Sequence, residues 1–417
     1  MKGNNHFLSL FAQMGMFLTL ALTLSLDGGY SYGAIIVLLG SLLGLGAFRL
    51  YRGQRLARED RQLLLVFVLY GLSFLFFRAY HVFEWSGLDK PSRFILVCLI
   101  FLFLRSVALK GYLLWLGAAV GTYSGVGVAI YQHFIDDKAR ANGFQHPIMF
   151  GNFGVLLGMI CFAGFIFYIG KKQYTYAFLM FLAGVSGLLV SILSGSRGGW
   201  LAIPVGLVYL FWQSRDVIGA RLVKQAAVFF VAAMVAVIAI PQTGVSHRIG
   251  QAVSDIENYV EPDGSARTSV GLRFEMWKAA LHLYKESPIL GVGEFDIQAK
   301  KQVLADEGII DQAAVHFGHA HNEYLTNLSE YGTIGFILLM ILYIVPLRLF
   351  NQKIRAYPSD WNIRCYAMAG GLIPACYMDF ALSQSMFSHN SGVMLFSLGI
   401  MYFWSVVRNL EAEKAVG

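Results

Sequence analysis

Long apolar runs are the feature that most restricts the fold of this 417-residue chain. About 20 apolar residues cross the roughly 30 Å hydrocarbon core of a bilayer as one helix, because each backbone polar group must be bonded within the segment. Twelve such runs are found, at 7–26, 31–50, 62–80, 93–106, 110–132, 147–169, 173–193, 199–214, 222–241, 322–347, 363–383 and 390–408. We therefore predict an all-α integral membrane protein with about 12 transmembrane helices.

Composition agrees with this class, since 57% of the residues are hydrophobic and only 14% are charged. The first run follows Lys2 but is predicted to span the membrane, because no cleavage site of a signal peptide comes after it. All 4 cysteines lie in apolar runs, which argues against an outer disulfide or a thiolate metal site.

The distribution of lysine and arginine predicts the orientation. With the N-terminus in the cytoplasm, 19 of the 32 basic residues face inward and 6 lie in the short outer loops. The remaining 7 lie in the long segment 242–320, together with 11 acidic residues. We therefore expect both termini in the cytoplasm, the long segment outside, and no binding of nucleic acid, because the net charge of +7 comes from cytoplasmic loops.

These boundaries divide the chain into three parts. Residues 1–241 are predicted to carry transmembrane helices 1–9, 242–320 a long outer loop of short amphipathic helices, and 321–417 helices 10–12 with a cytoplasmic tail. In the outer loop we predict one helix from a cap at Ser246 to Val260, and a third at 295–306. The second is marked by an apolar stripe: Val270, Phe274, Trp277, Leu281 and Tyr284. Their apolar faces are expected to lie down on the bundle.

One short loop has the composition of an anion site. Residues 194–200 read SGSRGGW, in which small residues leave backbone N–H groups accessible, Arg197 adds a fork of donors, and the start of span eight offers a positive helix end. No Gly-Lys-Ser/Thr follows, so this is not a nucleotide P-loop. The alternative is a glycine-rich turn at the membrane interface with an arginine that reaches toward water.

A second arginine lies in the outer loop. Arg273 comes one turn before Trp277 and borders the apolar face, so we expect it to point toward the mouth of the bundle and bind an anion. An ion pair with Glu275 is the alternative. Arg267, in the approach to the same helix, is expected to be structural or peripheral.

Histidine supplies the candidate base. His321 begins the tenth span with Asn322 as a possible N-cap, and a helix N-terminus disfavours the imidazolium ion, which leaves the ring able to accept a proton. A structural histidine is the alternative. His316, His319 and His321 could also meet on a zinc ion, but neither HExxH nor a carboxylate ligand accompanies them, so no metal or other cofactor is predicted.

Together, two anion-binding arginines and a base on the outer face indicate transfer from a membrane-held phosphate donor. Nucleotide sugars are cytoplasmic, so such a donor must carry its own activation, as a lipid-linked diphosphate sugar does. A transporter of lipid-linked glycan is the alternative from another class. Few titratable groups lie deep in the spans, Asp379 being the clearest, which makes that alternative weaker.

These residues resemble the O-antigen ligase family, within a group that includes O-antigen polymerases and protein O-oligosaccharyltransferases. The resemblance is carried by loop 194–200 and by LRFEMW at 272–277, SPILGVG at 287–293 and HAHNEYL at 319–325, and it covers about 190–335. It implies a GT-C-like membrane fold. A single dominant outer loop and a short C-terminal part favour a ligase over a polymerase or a protein transferase.

The resemblance implies an enzyme of the bacterial inner membrane with its active site facing the periplasm. It would move O-antigen from undecaprenyl diphosphate to a sugar hydroxyl of lipid A-core, as a monomer without metal or cofactor. Arg197 and Arg273 would neutralise the diphosphate, and His321 would act as general base and invert the anomeric carbon. The expected substrate contacts are Ser194, Ser196, Gly198, Arg267, Trp277, His319 and Asn322.

Overall fold

The computed structural model describes residues 2–46, 56–81, 88–219, 245–261 and 266–416, together with Gln225 and Val228. The described chain is helical. Its helices are α1 (Lys2–Leu22), α2 (Gly29–Gly46), α3 (Arg58–Tyr80), α4 (Asp89–Ser106), α5 (Tyr112–Phe134), α6 (Pro147–Gly170), α7 (Tyr174–Ser194), α8 (Ala202–Ile218), α9 (Val245–Val260), α10 (Ser269–Glu286), α11 (Ile297–Asp306), α12 (Glu323–Ala356), α13 (Trp361–Phe380) and α14 (Asn390–Val416). Two 3-10 turns lie at Gln312–Ala314 and Met386–Ser388.

The predicted all-α membrane class is confirmed. Among the described helices, six are long and apolar enough to cross a membrane: α3, α5, α6, α7, α12 and α14. Eleven of the twelve predicted spans overlap a helix, and all of the ninth, 222–241, apart from Gln225 and Val228 lies outside the described residues. The chain is thus a multi-pass membrane protein, and the number of twelve spans stays a prediction.

Helices α6 and α7 pack closely against each other. A Cβ atom on Gly154 would lie 2.8 Å from the carbonyl oxygen of Gly187, and one on Gly158 would lie 2.9 Å from that of Gly184. Small residues permit such close approach, which favours helix association in membranes. The pair is antiparallel, so the start of α6 and the loop after α7 lie at the same end of the bundle.

Residues 245–261 and 266–320 form a helical cap. The helix bounds agree with the sequence pattern: α9 ends at Val260 and Ser287 follows the last residue of α10. Helix α9 begins at Val245, so Ser246 lies inside it and is not the residue before it. The start of α10 is capped instead by Thr268, whose hydroxyl oxygen accepts a hydrogen bond from the Gly271 N–H at 3.0 Å.

The buried faces of the cap helices differ from the predicted ones. Helix α10 buries mainly small or flexible residues, and the predicted stripe through Phe274 and Trp277 is half-buried on its flank. One reason is that the buried Ala279 packs within the cap, in one apolar cluster with Ile310 and Val315. On α9, the side chains of Val253, Ile256 and Val260 are exposed, so the expected apolar contact with the bundle was wrong for the described residues.

A break in α12 joins the cap to the bundle. Gly332 has φ 64° and ψ −163°, outside the helical region, and the turn at Gly291 and Gly293 lies against it. The N–H groups of Val292 and Gly293 donate to the carbonyls of Ser329 and Glu330, at 2.9 and 3.1 Å. On the other side of the break, the N–H of Thr333 donates to the carbonyl of Pro288 at 2.8 Å.

Glycine is required at this junction. A Cβ atom on Gly332 would lie 2.4 Å from the backbone of Ile289, and one on Gly291 would lie 2.3 Å from that of Glu330. Both residues also have positive φ angles, which side chains disfavour. The SPILGVG sequence therefore has a structural role, because it supplies the hydrogen bonds that the broken helix lacks.

Candidate active site

The loop 194–200 is held in place by hydrogen bonds within itself and by one from Arg140. Gly195 ends α7 in the left-handed conformation, with φ 65°, and the Ser196 N–H donates to the hydroxyl of Ser194 at 3.1 Å. Arg140 donates to the carbonyl oxygen of Ser194 at 2.9 Å. The buried Ser196 hydroxyl has no hydrogen-bond partner among the described residues. This hydroxyl is therefore a donor that a ligand could use.

Two expected features of this loop have structural uses instead. A Cβ atom on Gly198 would lie 2.1 Å from the hydroxyl of Ser383, so the glycine allows close packing against the segment after α13. The Ala202 N–H at the start of α8 donates to a carboxylate oxygen of Asp379 at 2.9 Å. Because Asp379 already occupies this helix end, an anion in the loop depends more on Arg197 than on the helix.

Arg273 lies half-buried on the first turns of α10. Burial lowers its pKa, and the positive charge of Arg197 lowers it further. The cap and the 194–200 loop thus bring the two predicted arginines within electrostatic reach. Two guanidinium groups so placed repel each other, and a shared polyanion would relieve this repulsion.

The alternative ion pair of Arg273 with Glu275 is not formed. The Glu275 carboxylate accepts hydrogen bonds from the Tyr259 hydroxyl and the Asp311 N–H, both at 2.6 Å. No carboxylate among the described residues pairs with Arg273. Among the described residues, no carboxylate therefore competes with a ligand for the charge of Arg273.

Arg267 and Trp277 lie at the edge of this group. Arg267 is 3.8 Å from a carboxylate oxygen of Asp311, and 71% of its side chain is exposed, as expected for a peripheral residue. The indole N–H of Trp277 donates to the carbonyl oxygen of Ala320 at 3.1 Å. Trp277 therefore anchors the residue that precedes His321.

His321 is fixed by its backbone neighbours. It has φ 47°, and its N–H donates to Nδ1 of His319 at 3.2 Å. Asn322 is the N-cap of α12, as predicted, because its side-chain oxygen accepts from the Leu325 N–H at 3.1 Å. Lys301, which was not predicted, is buried and donates to the carbonyl of Phe317 at 2.8 Å, which holds the preceding loop in place.

Four histidines meet at this point, and two of them were not predicted as site residues. The ring centre of His321 is 4.5 Å from that of His319 and 6.4 Å from that of His146. His389 lies 5.9 Å from both His319 and His146. We call these four residues the histidine cluster. No spacing in the sequence links 146 or 389 to 321.

Gln384 bridges two members of the histidine cluster. Its side-chain oxygen is 2.6 Å from Nδ1 of His321, and its side-chain nitrogen is 3.0 Å from Nε2 of His389. With this amide orientation, Nδ1 of His321 carries the proton and donates it to Gln384. The lone pair of His321 then lies on Nε2, where it can accept a proton.

Burial keeps the histidine cluster neutral. It lowers the pKa of His321 to about 4, and the charge of Arg273 adds to the effect. The pKa of His319 falls to about 3 and that of His389 to about 4, also mainly through burial. The neutral ring predicted for His321 is therefore found, but loss of solvent is the main cause and not the helix end.

The three histidines of the proposed zinc motif do not converge in the structure. His316 is exposed, whereas His319 and His321 are partly buried. Among the described residues, no group of three or more His, Cys, Asp or Glu is arranged to hold a metal ion.

Comparison with known proteins addresses the same segment. Residues 182–340 match the family model for O-antigen ligases. The predicted resemblance is confirmed over this range, which contains Arg197, Arg273 and His321 and ends before Gln384 and His389. The match supports a glycosyltransferase of the ligase or polymerase type.

A similar protein is known from Haemophilus influenzae, described only as uncharacterized. It is 28% identical over 384 residues, which are 90% of this chain and 93% of that protein. The similarity therefore extends over the apolar helices on both sides of the segment that matches the family model.

Proposed function

We propose that this protein is an inverting glycosyltransferase that joins O-antigen polysaccharide, carried on undecaprenyl diphosphate, to a sugar hydroxyl of lipid A-core. One observation carries the proposal: Arg197 and the neutral His321, from two separate segments, each lie within electrostatic reach of Arg273 on a third segment. The family match supports the reaction class. The motif resemblance supports the donor and the acceptor.

The reaction is a single displacement. Arg197 and Arg273 bind the diphosphate and offset the charge that develops on it as the bond to the sugar breaks. The acceptor oxygen attacks the anomeric carbon from the opposite side, and its proton passes to Nε2 of His321. Undecaprenyl diphosphate leaves with the electron pair of the broken C–O bond. This scheme inverts the anomeric configuration and requires no metal or cofactor.

Donor binding also strengthens the base. A buried imidazole with a pKa of about 4 accepts protons weakly, in part because Arg273 is positively charged. A bound diphosphate offsets that charge and so raises the pKa of His321. Proton transfer is thereby coupled to the presence of the donor.

We place the reaction at the periplasmic face of the bacterial inner membrane, with both termini in the cytoplasm. The distribution of basic residues supports this orientation, since 19 of 32 then face the cytoplasm. The same donor chemistry would serve an O-antigen polymerase or a protein O-oligosaccharyltransferase, which differ in the acceptor. A transporter of lipid-linked glycan is the alternative from another class.

Purified protein in lipid, supplied with the lipid-linked donor and lipid A-core, tests the proposal. We expect a covalently joined product and free undecaprenyl diphosphate, both abolished in His321→Ala. His316→Ala is the matched control, because this histidine is exposed in the same loop and should retain full activity. Movement of donor across vesicles without joined product would support the transporter instead, and joining only to glycan or to protein would indicate the other transferases.

A further inference from the structure

A second polar region adjoins the histidine cluster. It is a cavity of about 200 Å³ between α3, α4, the cap and the first turns of α12, and His319 forms part of its wall. Three carboxylates line it, those of Glu294, Glu323 and Glu330, together with Lys90. Neither Arg197 nor Arg273 belongs to its lining. We call this region the acidic cavity.

Two of the three carboxylates have partners within the protein. Glu294 lies 2.8 Å from Arg78 and 3.5 Å from Lys90. Glu323 accepts hydrogen bonds from the Phe387 N–H at 2.8 Å and from the Asn327 side chain at 3.2 Å. These two groups therefore shape the cavity, and their bonding capacity is largely used.

Glu330 differs from them. It is only 7% exposed, it lines the cavity, and its carboxylate takes no hydrogen bond or ion pair from any described residue. A buried carboxylate without a partner is costly, so the group is expected to meet a donor that the protein itself does not supply. The chemistry of the walls indicates what kind of donor this is.

The walls favour a neutral, hydroxyl-rich ligand. Lys90 lies 3.5 Å from Glu294, so this lysine is already paired and gives phosphate little attraction, whereas hydroxyl groups form good hydrogen bonds with carboxyl groups. Aromatic rings of Phe74, Tyr331 and Phe387 cover the rest of the wall and suit the apolar face of a sugar ring. The cavity is smaller than the roughly 300–1,000 Å³ of sites for larger ligands, so one ring fits better than a chain.

We propose that the acidic cavity binds one uncharged sugar ring of the acceptor, with Glu330 accepting hydrogen bonds from its hydroxyl groups. This inference rests on the proposed function and adds the place of the acceptor. His319 connects the two regions, since it lines the cavity and its ring centre lies 4.5 Å from that of His321. The bound ring thus lies beside the base and apart from the arginines that take the diphosphate.

Two variants of the full-length protein test this placement. Gly318 borders the cavity, and a Cβ atom there would meet no atom within 4 Å, so Gly318→Leu adds apolar volume at the edge of the cavity without a clash at Cβ. Glu330→Gln replaces the carboxyl group by an amide of the same shape. We expect both to raise the KM for purified lipid A-core, by about tenfold, as loss of hydrogen bonds to a buried polar group predicts. The KM for the lipid-linked donor should stay within about twofold.

Matched controls lie elsewhere in the chain. Gly250 is exposed on α9 and also has open space around a Cβ atom, so Gly250→Leu controls for added apolar volume. Glu307→Gln, at an exposed position, controls for the loss of one negative charge. Neither should change the KM for lipid A-core.

The outcomes separate this inference from the proposed function. If the unaltered protein forms no joined product, the proposed function fails. If it does form product while Gly318→Leu and Glu330→Gln keep the acceptor KM, only the acidic cavity assignment is overturned. An equal rise in the KM for the donor would overturn it as well. Should Gly318→Leu fail to fold, Glu330→Gln decides alone.

Discussion

The arginine pair, Arg197 and Arg273, and the acidic cavity both adjoin the histidine cluster. The first consists of basic side chains, whereas the charged side chains that line the second are mainly acidic. Arg197 and Arg273 repel each other, and no carboxylate among the described residues pairs with Arg273. In the cavity, other residues of the protein pair with Glu294 and Glu323. Of the three glutamate side chains in the lining, only that of Glu330 has no hydrogen bond or ion pair to another described residue. The comparison suggests that a strongly charged ligand belongs at the arginines and a neutral one in the cavity.

Of the effects that distinguish these two regions, the largest should come from removing one arginine. We expect Arg273→Ala to lower kcat/KM by roughly 10²–10³, since the charge on the leaving diphosphate loses a fixed donor. Arg273→Lys should recover part of the rate, because it restores the charge without the planar fork. Steady-state rates of product formation measure both.

Lys278→Ala is the control for this arginine, since Lys278 is exposed on the same helix. It should keep the rate of the unaltered protein. An Arg273→Ala enzyme that retained its full rate and donor KM would contradict the assignment of the diphosphate to the arginines.

The next effect concerns Gln384, which acts through His321 and so serves to position the base. Gln384→Leu should lower kcat by roughly 10- to 100-fold, because a buried hydrogen bond is lost at both neighbouring histidines. Gln384→Glu should retain much more activity, since a carboxylate accepts the Nδ1 proton and raises the pKa of His321. Rates at several pH values measure both the loss and this shift.

The pH readout separates positioning from a merely structural role. If Gln384→Glu leaves the acidic limb of the pH profile where it lies in the unaltered enzyme, the proposed contact with His321 does not control the base. Gln312→Leu, at an exposed position in the cap, is the control and should leave both rate and profile unchanged.

A smaller effect, on stability, is expected at the join between the cap and α12. Gly332→Ala places a side chain in a left-handed conformation against the backbone of Ile289, which we expect to cost about 1–3 kcal/mol. Because Glu330 lies two residues away, the acceptor KM should rise more than the donor KM. Thermal unfolding and steady-state kinetics measure the two parts.

Gly250→Ala is the control for this glycine, because it lies on an exposed helix with open space around it. An unchanged melting temperature in Gly332→Ala would show that the join contributes little to stability. If the KM for the donor rose more than the KM for the acceptor, the join would support the arginine pair and not the acidic cavity.

Local signals predicted the helices well, because their information lies within a few residues. Asn322 caps α12, and α9 ends at Val260, as the sequence indicated. Residues brought together by the fold gave no such signal. His146 lies in the connection before α6, Gln384 and His389 lie in the connection between α13 and α14, and nothing in their spacing relates them to His321.

For other residues, the sequence drew attention to the position but did not indicate the contact. Asp379 stood out as a deep acidic residue, but only the packed bundle shows that its carboxylate accepts from the start of α8. Likewise, the SPILGVG segment stood out through the family resemblance, and only the structure shows that Gly291 and Gly293 lie at the break in α12. Both roles depend on contacts between segments distant in the chain, which periodicity and composition do not encode.

The smallest effect is expected from pH in the neutral range. The folded pKa of His321 is about 4, below the usual value of 6.5, so its ring stays neutral and basic throughout this range. The pH dependence of kcat/KM reports the pKa values of the free enzyme. If His321 determines it, kcat/KM should change by less than about twofold between pH 8 and pH 6 and should fall only near pH 4. Bound diphosphate raises this pKa, so kcat should begin to fall at a higher pH than kcat/KM does.

Stability must be followed in the same experiment. The lowered pKa values of the histidine cluster mean that the unfolded chain takes up protons below about pH 6.5 more readily than the folded one. Stability is thus fully present above that pH and declines as the pH falls toward 4. Tryptophan fluorescence at each pH separates unfolding from loss of the base, and a kcat/KM limb near 6.5 in folded protein would contradict a buried, neutral His321.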